Sequence, residues 1–495
     1  MLYQSTRDKS IRITSAQAIA QGLSRDGGLF VPESFPVMPE SMLARLAGLS
    51  YIERAVSLMK LFLDDFGEDE LREFAHQAYS VPNFDQPSAA PVVKTDDGTF
   101  MLELWHGPTC AFKDMALQML PHLLASSLEK TRETRDVCIL VATSGDTGKA
   151  ALEGFRDVPR TKILVFYPED GVSDVQKLQM TTQSGGNVGV SAVAGNFDDA
   201  QTGVKAIFSD GDLRQKLNDH GYFLSSANSI NWGRLLPQIV YYVSAYCDMV
   251  TDGAIQPGEK INFCVPTGNF GNILAGWYAK KIGLPVGKLI CASNCNDVLT
   301  EFIGTGVYNK NRAFMTTISP SMDILISSNL ERLLFDLSGR DDTLVSGYMT
   351  ALAETGRYAV SDTIMAGIAA NFAGISSTDE ETKATIRAMY ETKYFLIDTH
   401  TAVAFDVLGK YRRMTGDTAK TVVVSTASPF KFCDSVLEAL GEASAQSGLA
   451  LIDRLESVTG VPAPAPLRTL RGKPIRFTES VPRDGMRAAV EQFLR

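Results

Sequence analysis

The chain has 495 residues, 45% hydrophobic and 21% charged, an ordinary balance for a globular enzyme but too long for one core, so two or three domains sharing a cleft are expected. A net charge of −10 at pH 7 leaves no basic stripe to neutralise phosphates, which argues against nucleic acid as a partner. No apolar run approaches the roughly 20 residues that span a bilayer, and residues 1–15 are polar and charged rather than a secretory leader, so a cytoplasmic location is expected and a membrane is not. The seven cysteines are scattered, Cys291 and Cys295 being the only close pair. Without nearby histidines they make no zinc site, so reduced core thiols and no metal are expected.

Residues 1–90 read as a separate, mainly helical cap. A short helix is expected at 15–22, a tight turn into an extended segment at 26–32, and helices at 42–63 and 68–78. No chemistry is visible there. Residues 105–114 are different, because Lys113 follows Phe112 and precedes an apolar run, 115–124, that reads as one buried helix kinked at Pro121. Keeping an ammonium out of water pushes its pKa down and frees the amine as a nucleophile able to form a Schiff base with a carbonyl. The alternative is a lysine that snorkels to the surface.

From residue 92 onward, short apolar runs alternate with helical patterns. The runs lie at 137–142, 163–167, 188–193, 222–224, 261–265, 289–292 and 421–424, with helices near 149–155, 173–182, 198–208, 235–247, 273–282 and 402–411. Strands buried on both faces and joined through helices mean parallel sheets, so the fold class is α/β. The loops beyond the carboxyl ends of such strands are where ligands bind.

Four of those loops stand out. After 137–142 come Ser144, Gly145, Asp146, Thr147 and Gly148 at a helix start, either an anion site or an ordinary capped turn. It lacks the glycine and hydroxyl spacing of a nucleotide P-loop. After 261–265 come Gly268, Asn269, Phe270, Gly271 and Asn272, whose successive N–H groups before a helix suit one phosphate monoester; a structural turn is the alternative. After 222–224, Asn228, Ser229 and Arg234 offer amide, hydroxyl and guanidinium groups for a second anion, unless Arg234 is simply an ion-pair partner. After 421–424, Ser425, Thr426, Ala427 and Ser428 are small hydroxyl residues whose role is open.

Ala-Phe-Lys-Asp, Ser-Gly-Asp-Thr-Gly, Gly-Asn-Phe-Gly-Asn and Ser-Thr-Ala, in that order, resemble threonine synthase, a pyridoxal 5'-phosphate enzyme of the tryptophan-synthase-β type. The residues at 26–32, 319–332 and 398–402 add to the likeness, which runs from about residue 5 to about residue 440. The resemblance implies two parallel-sheet α/β domains around a cofactor cleft, with a cap at 1–90 and a catalytic region at 91–455. Within that region a smaller lobe would span roughly 111–219 and a larger one 91–110 with 220–455. Residues 456–495, opening with Pro462, Pro464 and Pro466, read as a linker and tail.

By the same resemblance Lys113 would hold pyridoxal phosphate through its amine and act as the base. Gly268, Asn269, Phe270, Gly271 and Asn272 would bind the cofactor phosphate, Thr426 would face the pyridine nitrogen, and Asp146 would touch the cofactor. Ser144 and Thr147 would line the substrate pocket, with Asn228, Ser229 and Arg234 gripping the phosphate of O-phosphohomoserine. The implied reaction is γ-elimination and β-addition to give L-threonine and phosphate, in a monomer or homodimer. Two departures from the family pattern are Ser428 where it usually has histidine and Thr399 where it usually has proline. A lyase of the same fold and a non-catalytic binder are the competing readings.

Overall fold

The structure, a computed structural model, describes residues 1–143, 145–169 and 172–495. It is α/β, built on two sheets. The larger runs in the order Phe372–Ser376, Val286–Ser293, Ile261–Pro266, Thr421–Ser425, Thr99–Glu103, Val92–Asp96, parallel except for the last hairpin. The smaller is parallel throughout, in the order Ser480–Pro482, Val188–Ala194, Thr161–Pro168, Asp136–Ala142, Tyr222–Ser225. Their central strands, such as Ile261–Pro266 and Asp136–Ala142, are buried almost end to end because helices cover both faces. The carboxyl ends of four of them, at Ala142, Ser225, Pro266 and Ser425, feed the loops singled out above.

Residues 1–90 carry the expected helices and also a three-stranded antiparallel sheet, Arg12–Thr14, Leu2–Ser5 and Phe30–Pro32. The cap docks on the helix Trp232–Thr251, which is apolar nearly all round and buried along most of its length. Tyr3 and Phe62 pack on Trp232 with ring centroids 5.3 and 5.7 Å away. Arg54 reaches from the cap to Ser244 Oγ at 2.8 Å and Asp248 at 2.5 Å on the same helix. Among the described residues no helix is long and apolar enough to cross a membrane.

Four expectations are corrected. The pattern at 42–63 is two helices, Glu40–Ala47 and Tyr51–Phe62, because Ser50 takes an extended conformation and its side chain accepts from Glu53 N–H at 3.3 Å. The run at 115–124 is likewise split, into Asp114–Leu117 and Leu120–Lys130, and Pro121 sits in the first turn of the second helix rather than kinking one. There the missing N–H costs nothing. The smaller lobe does not end at 219, since Tyr222–Ser225 pairs with Asp136–Ala142 in its sheet. Residues 456–495 are not a loose tail: Ser480–Pro482 extends the smaller sheet alongside Val188–Ala194, and the helix Met486–Phe493 buries Met486 and Val490 in that lobe's core.

Candidate active site

The turn that carries Lys113 is stapled to the C-terminal strand end. Leu104 N–H donates to Ser425 O at 3.0 Å, Phe112 N–H to Thr426 O at 2.8 Å, and Ser428 N–H to Cys110 O at 3.0 Å. Asp114 braces the turn from inside, accepting from Thr109 N–H at 2.8 Å and Thr109 Oγ1 at 2.6 Å. Burial pushes its carboxyl up to about 6 despite those bonds. Lys113 starts the helix Asp114–Leu117 and is 8% exposed, so the snorkelling alternative does not hold. Among the described residues its amine has only distant partners: Ser321 Oγ at 3.4 Å, Asp146 Oδ2 at 3.8 Å, and the Phe112 ring centroid at 4.9 Å. Burial pushes the ammonium down to about 8 against the pull of Asp146, with Arg234 and Lys431 adding to the decrease. The amine is therefore available as a nucleophile close to neutral pH.

Asp146 opens the helix Asp146–Phe155. The preceding Gly145 has φ +140°, and a Cβ there would lie 2.5 Å from Gln176 Cδ, so only glycine fits the turn. Gln176 Nε2 donates to Asp146 Oδ1 at 2.8 Å, and Lys431 Nζ pairs with the same oxygen at 2.8 Å. Burial alone would raise this carboxyl, but Lys431 and Lys113 hold it well below the usual carboxylate range. Thr147 sits beside it in the first turn, half-buried. Ser144 lies outside the described residues.

The glycine loop closes the other side. A Cβ at Gly268 would lie 2.7 Å from Ser321 O, so the loop and the 319–329 segment touch where only glycine fits. Asn329 N–H donates to Asn269 O at 3.0 Å and Ser327 Oγ to Gly268 O at 2.8 Å. Phe270 adopts φ +64° and ushers in the helix Gly271–Lys281 without a side-chain cap. Its first N–H groups thus have no intrahelical partner and are free to meet an anion at the helix start. Asn272 accepts from Tyr241 and Tyr242 hydroxyls at 2.6 and 2.7 Å, yet its buried Nδ2 has no partner among the described residues.

The 228–234 segment lies against that loop. Ser229 Cβ is 3.5 Å from where a Gly271 Cβ would stand, and Ser229 Oγ accepts from Asn329 Nδ2 at 3.1 Å. Arg234 is 5% exposed, donates through Nη1 to Ala227 O at 2.8 Å, and leaves a buried Nε with no partner among the described residues. Burial pushes it down to about 10. Among the described residues no carboxylate lies within ion-pair distance of it, which removes the ion-pair alternative. Asn228 sits at the exposed rim.

One run of neighbouring groups, loosest around Lys113, therefore joins Asp146, Lys113, Ser321, Gly268, Asn269, Asn329 and Ser229. Thr426 is buried and reaches the site through its main chain. Residue-by-residue reading missed Lys431 and the support under Ser321, whose N–H donates to His400 Nε2 at 3.2 Å while His400 Nδ1 faces Asp398 Oδ1 at 2.9 Å. That arrangement places the ring proton on Nδ1. Lys431 had a visible signal: like Lys113 it follows a phenylalanine in an apolar stretch just past a strand end. Ser428, where the family pattern has histidine, opens the short turn Pro429–Lys431 that presents it.

Comparison with known proteins shows the family. Residues 2–79 match a family model described as the threonine synthase N terminus, 98–427 that of pyridoxal-phosphate dependent enzymes, and 401–493 that of the threonine synthase C-terminal region. The chain is 42% identical over 435 residues to threonine synthase-like 1 of Macaca fascicularis, a match covering 86% of this chain and 58% of that relative. It is 40% identical over 466 residues to the threonine synthase of Pseudomonas aeruginosa, covering 93% of this chain and 96% of the other. The pyridoxal-phosphate-bound threonine synthase of Brucella melitensis superposes with a TM-score of 0.89 at 36% identity, covering 100% of both chains.

Proposed function

The chain belongs to the pyridoxal-phosphate-dependent threonine synthase family, and from that premise we propose that it converts O-phospho-L-homoserine and water into L-threonine and phosphate. The observation that carries this reading is the pair of adjoining anion cradles, each with an idle buried donor: Asn272 Nδ2 beside the glycine loop and Arg234 Nε beside Ser229. A buried polar group without a partner costs about 1–3 kcal/mol, so two of them in the first turns of neighbouring helices, Gly271–Lys281 and Trp232–Thr251, support a reading in which ligand oxygens complete them. One cradle suits the cofactor phosphate, and the second calls for a substrate that brings a phosphate of its own.

The residues present fit the cofactor. Lys113 would hold it through the amine, Gly268 to Asn272 would take its phosphate on main-chain N–H groups, Asp146 would touch it, and Thr426 would offer a hydroxyl to the pyridine nitrogen. Pyridoxal phosphate supplies an aldehyde for the substrate amine and a ring that withdraws electrons from the neighbouring carbon. Lys113 would also be the base for the substrate Cα proton. A pKa near neutrality lets it both take and return protons. A neutral threonine beside the pyridine nitrogen, unlike a carboxylate, does not stabilise a positive charge there. Asn228, Ser229 and Arg234 would grip the substrate phosphate and keep it as it leaves, while Thr147 would line the amino-acid end.

The chain spans 58% of the length of the threonine synthase-like 1 relative, so activity is to be measured on this chain itself. The assay mixes purified protein, pyridoxal phosphate and O-phosphohomoserine and quantifies both products. Equal amounts of threonine and phosphate are expected. Phosphate with a keto acid and no threonine would replace this reading with that of a phospho-lyase.

A further inference from the structure

Lys431 belongs to neither anion cradle, yet it is the most enclosed cation near the reactive amine, with a side-chain exposure of 0%. It comes from the larger lobe, just after the strand Thr421–Ser425. Its acceptors come from elsewhere: Asp146 Oδ1 at 2.8 Å and Gln179 Oε1 at 3.2 Å in the smaller lobe, and Thr109 O at 2.9 Å in the turn that carries Lys113. Asp146 thus has one oxygen fixed by Lys431 and Gln176, and turns the other toward Lys113 at the longer distance of 3.8 Å.

A buried ion pair gains little stability over a well-packed apolar pair, so the arrangement calls for an electrostatic reason. The site supplies one. A carboxylate enclosed next to a lone lysine would bind it tightly and hold it protonated, and an ammonium cannot attack an aldehyde. We propose that Lys431 is a positioning residue that satisfies Asp146, stops it from locking Lys113 as an ammonium, and so sets the pH above which Lys113 can accept an aldehyde.

Every charged group facing Lys113 enters this balance. Asp146 and, more weakly, Asp114 hold its proton, whereas burial, Arg234 and Lys431 drive it off. Removing Lys431 deletes one cation and frees Asp146 to close on Lys113, and both changes retain the proton to higher pH. The proposal rests on Lys113 being the lysine that accepts the cofactor aldehyde, and the test separates the two claims.

Full-length protein stripped of cofactor is mixed with pyridoxal phosphate across a pH series, the adduct is trapped with borohydride, and the modified peptide is located by mass. Wild type should show trapping at Lys113 with a midpoint at about 8. Lys431→Gln and Lys431→Met, two replacements of similar length, should move the midpoint up by about one unit, so that trapping at pH 7 slows about tenfold. Lys431→Arg, which keeps the charge, should restore the wild-type midpoint. An unshifted midpoint in whichever of the two neutral variants folds overturns the role of Lys431. Trapping that survives Lys113→Ala overturns the assignment of Lys113 instead.

Discussion

Arg332 and Arg234 are both buried, both lack a paired carboxylate at hydrogen-bond distance among the described residues, and both are pushed down to about 10 by burial. Their surroundings differ. Arg332 spends its guanidinium on Phe30 O at 3.1 Å, Asn329 Oδ1 at 2.6 Å and Ile230 O at 2.6 Å, knotting the cap, the 319–332 segment and the 228–234 segment together. Arg234 makes one bond, to Ala227 O, and keeps a buried Nε idle. A buried cation with a bond on each of its three nitrogens holds the fold together. One with donors in reserve is prepared for an anion that arrives later.

The same contrast orders the substitutions. Lys113→Ala should remove turnover altogether, at least about a thousandfold, because the covalent attachment point and the base vanish together. Turnover that persists would mean the amine with no short bond is not the reactive one. Arg332→Met strands three buried acceptors and should cost about 3 kcal/mol or more, read as a lower urea midpoint. Arg234→Met should leave that midpoint within about 1 kcal/mol yet raise KM for the phosphorylated substrate by about thirtyfold, the worth of a charged hydrogen bond. If both arginine variants lose equal stability, the division between scaffold and binding site fails.

The smallest effect is a gain. The folded-state value of Lys113 is depressed from 10.5 to about 8, so the stability it contributes is present above 10.5 and lost as pH falls through 8. Below that, folding must carry a desolvated ammonium. Lys113→Met should therefore stabilise the cofactor-free protein by about 1–2 kcal/mol at pH 7, with the advantage shrinking as pH rises from 8 toward 10.5. A constant difference across that range would show that packing, not charge, is responsible.

Much of this was legible beforehand because parallel strands buried on both faces are written as unbroken apolar runs, and seven such runs pointed to parallel sheets, which the family resemblance divided into two domains. The loops after 137–142, 222–224, 261–265 and 421–424 could be singled out because strand ends are where parallel sheets expose main-chain donors. Boundaries were harder. Residues 48–50 interrupt a helical pattern through the conformation of Ser50, which periodicity does not reveal, and the apolar character of 115–124 masked a break before Pro121. Lys431 was missed because its reason for burial lies in three acceptors far away in sequence. The strand Ser480–Pro482 was missed because three residues beside several prolines look like a linker until the partner strand is known.

That late strand has a consequence for how the smaller lobe is made. The carboxyl end of Val188–Ala194, residues Ala192 to Ala194, lies at the rim of its sheet until Ser480–Pro482 lays itself alongside. During synthesis it therefore waits through the whole larger lobe with a row of bare amides and carbonyls, the kind of rim on which neighbouring nascent chains zip together. Shielding of that rim by a chaperone, or slow emergence of the larger lobe, would decide how much polypeptide reaches the native state.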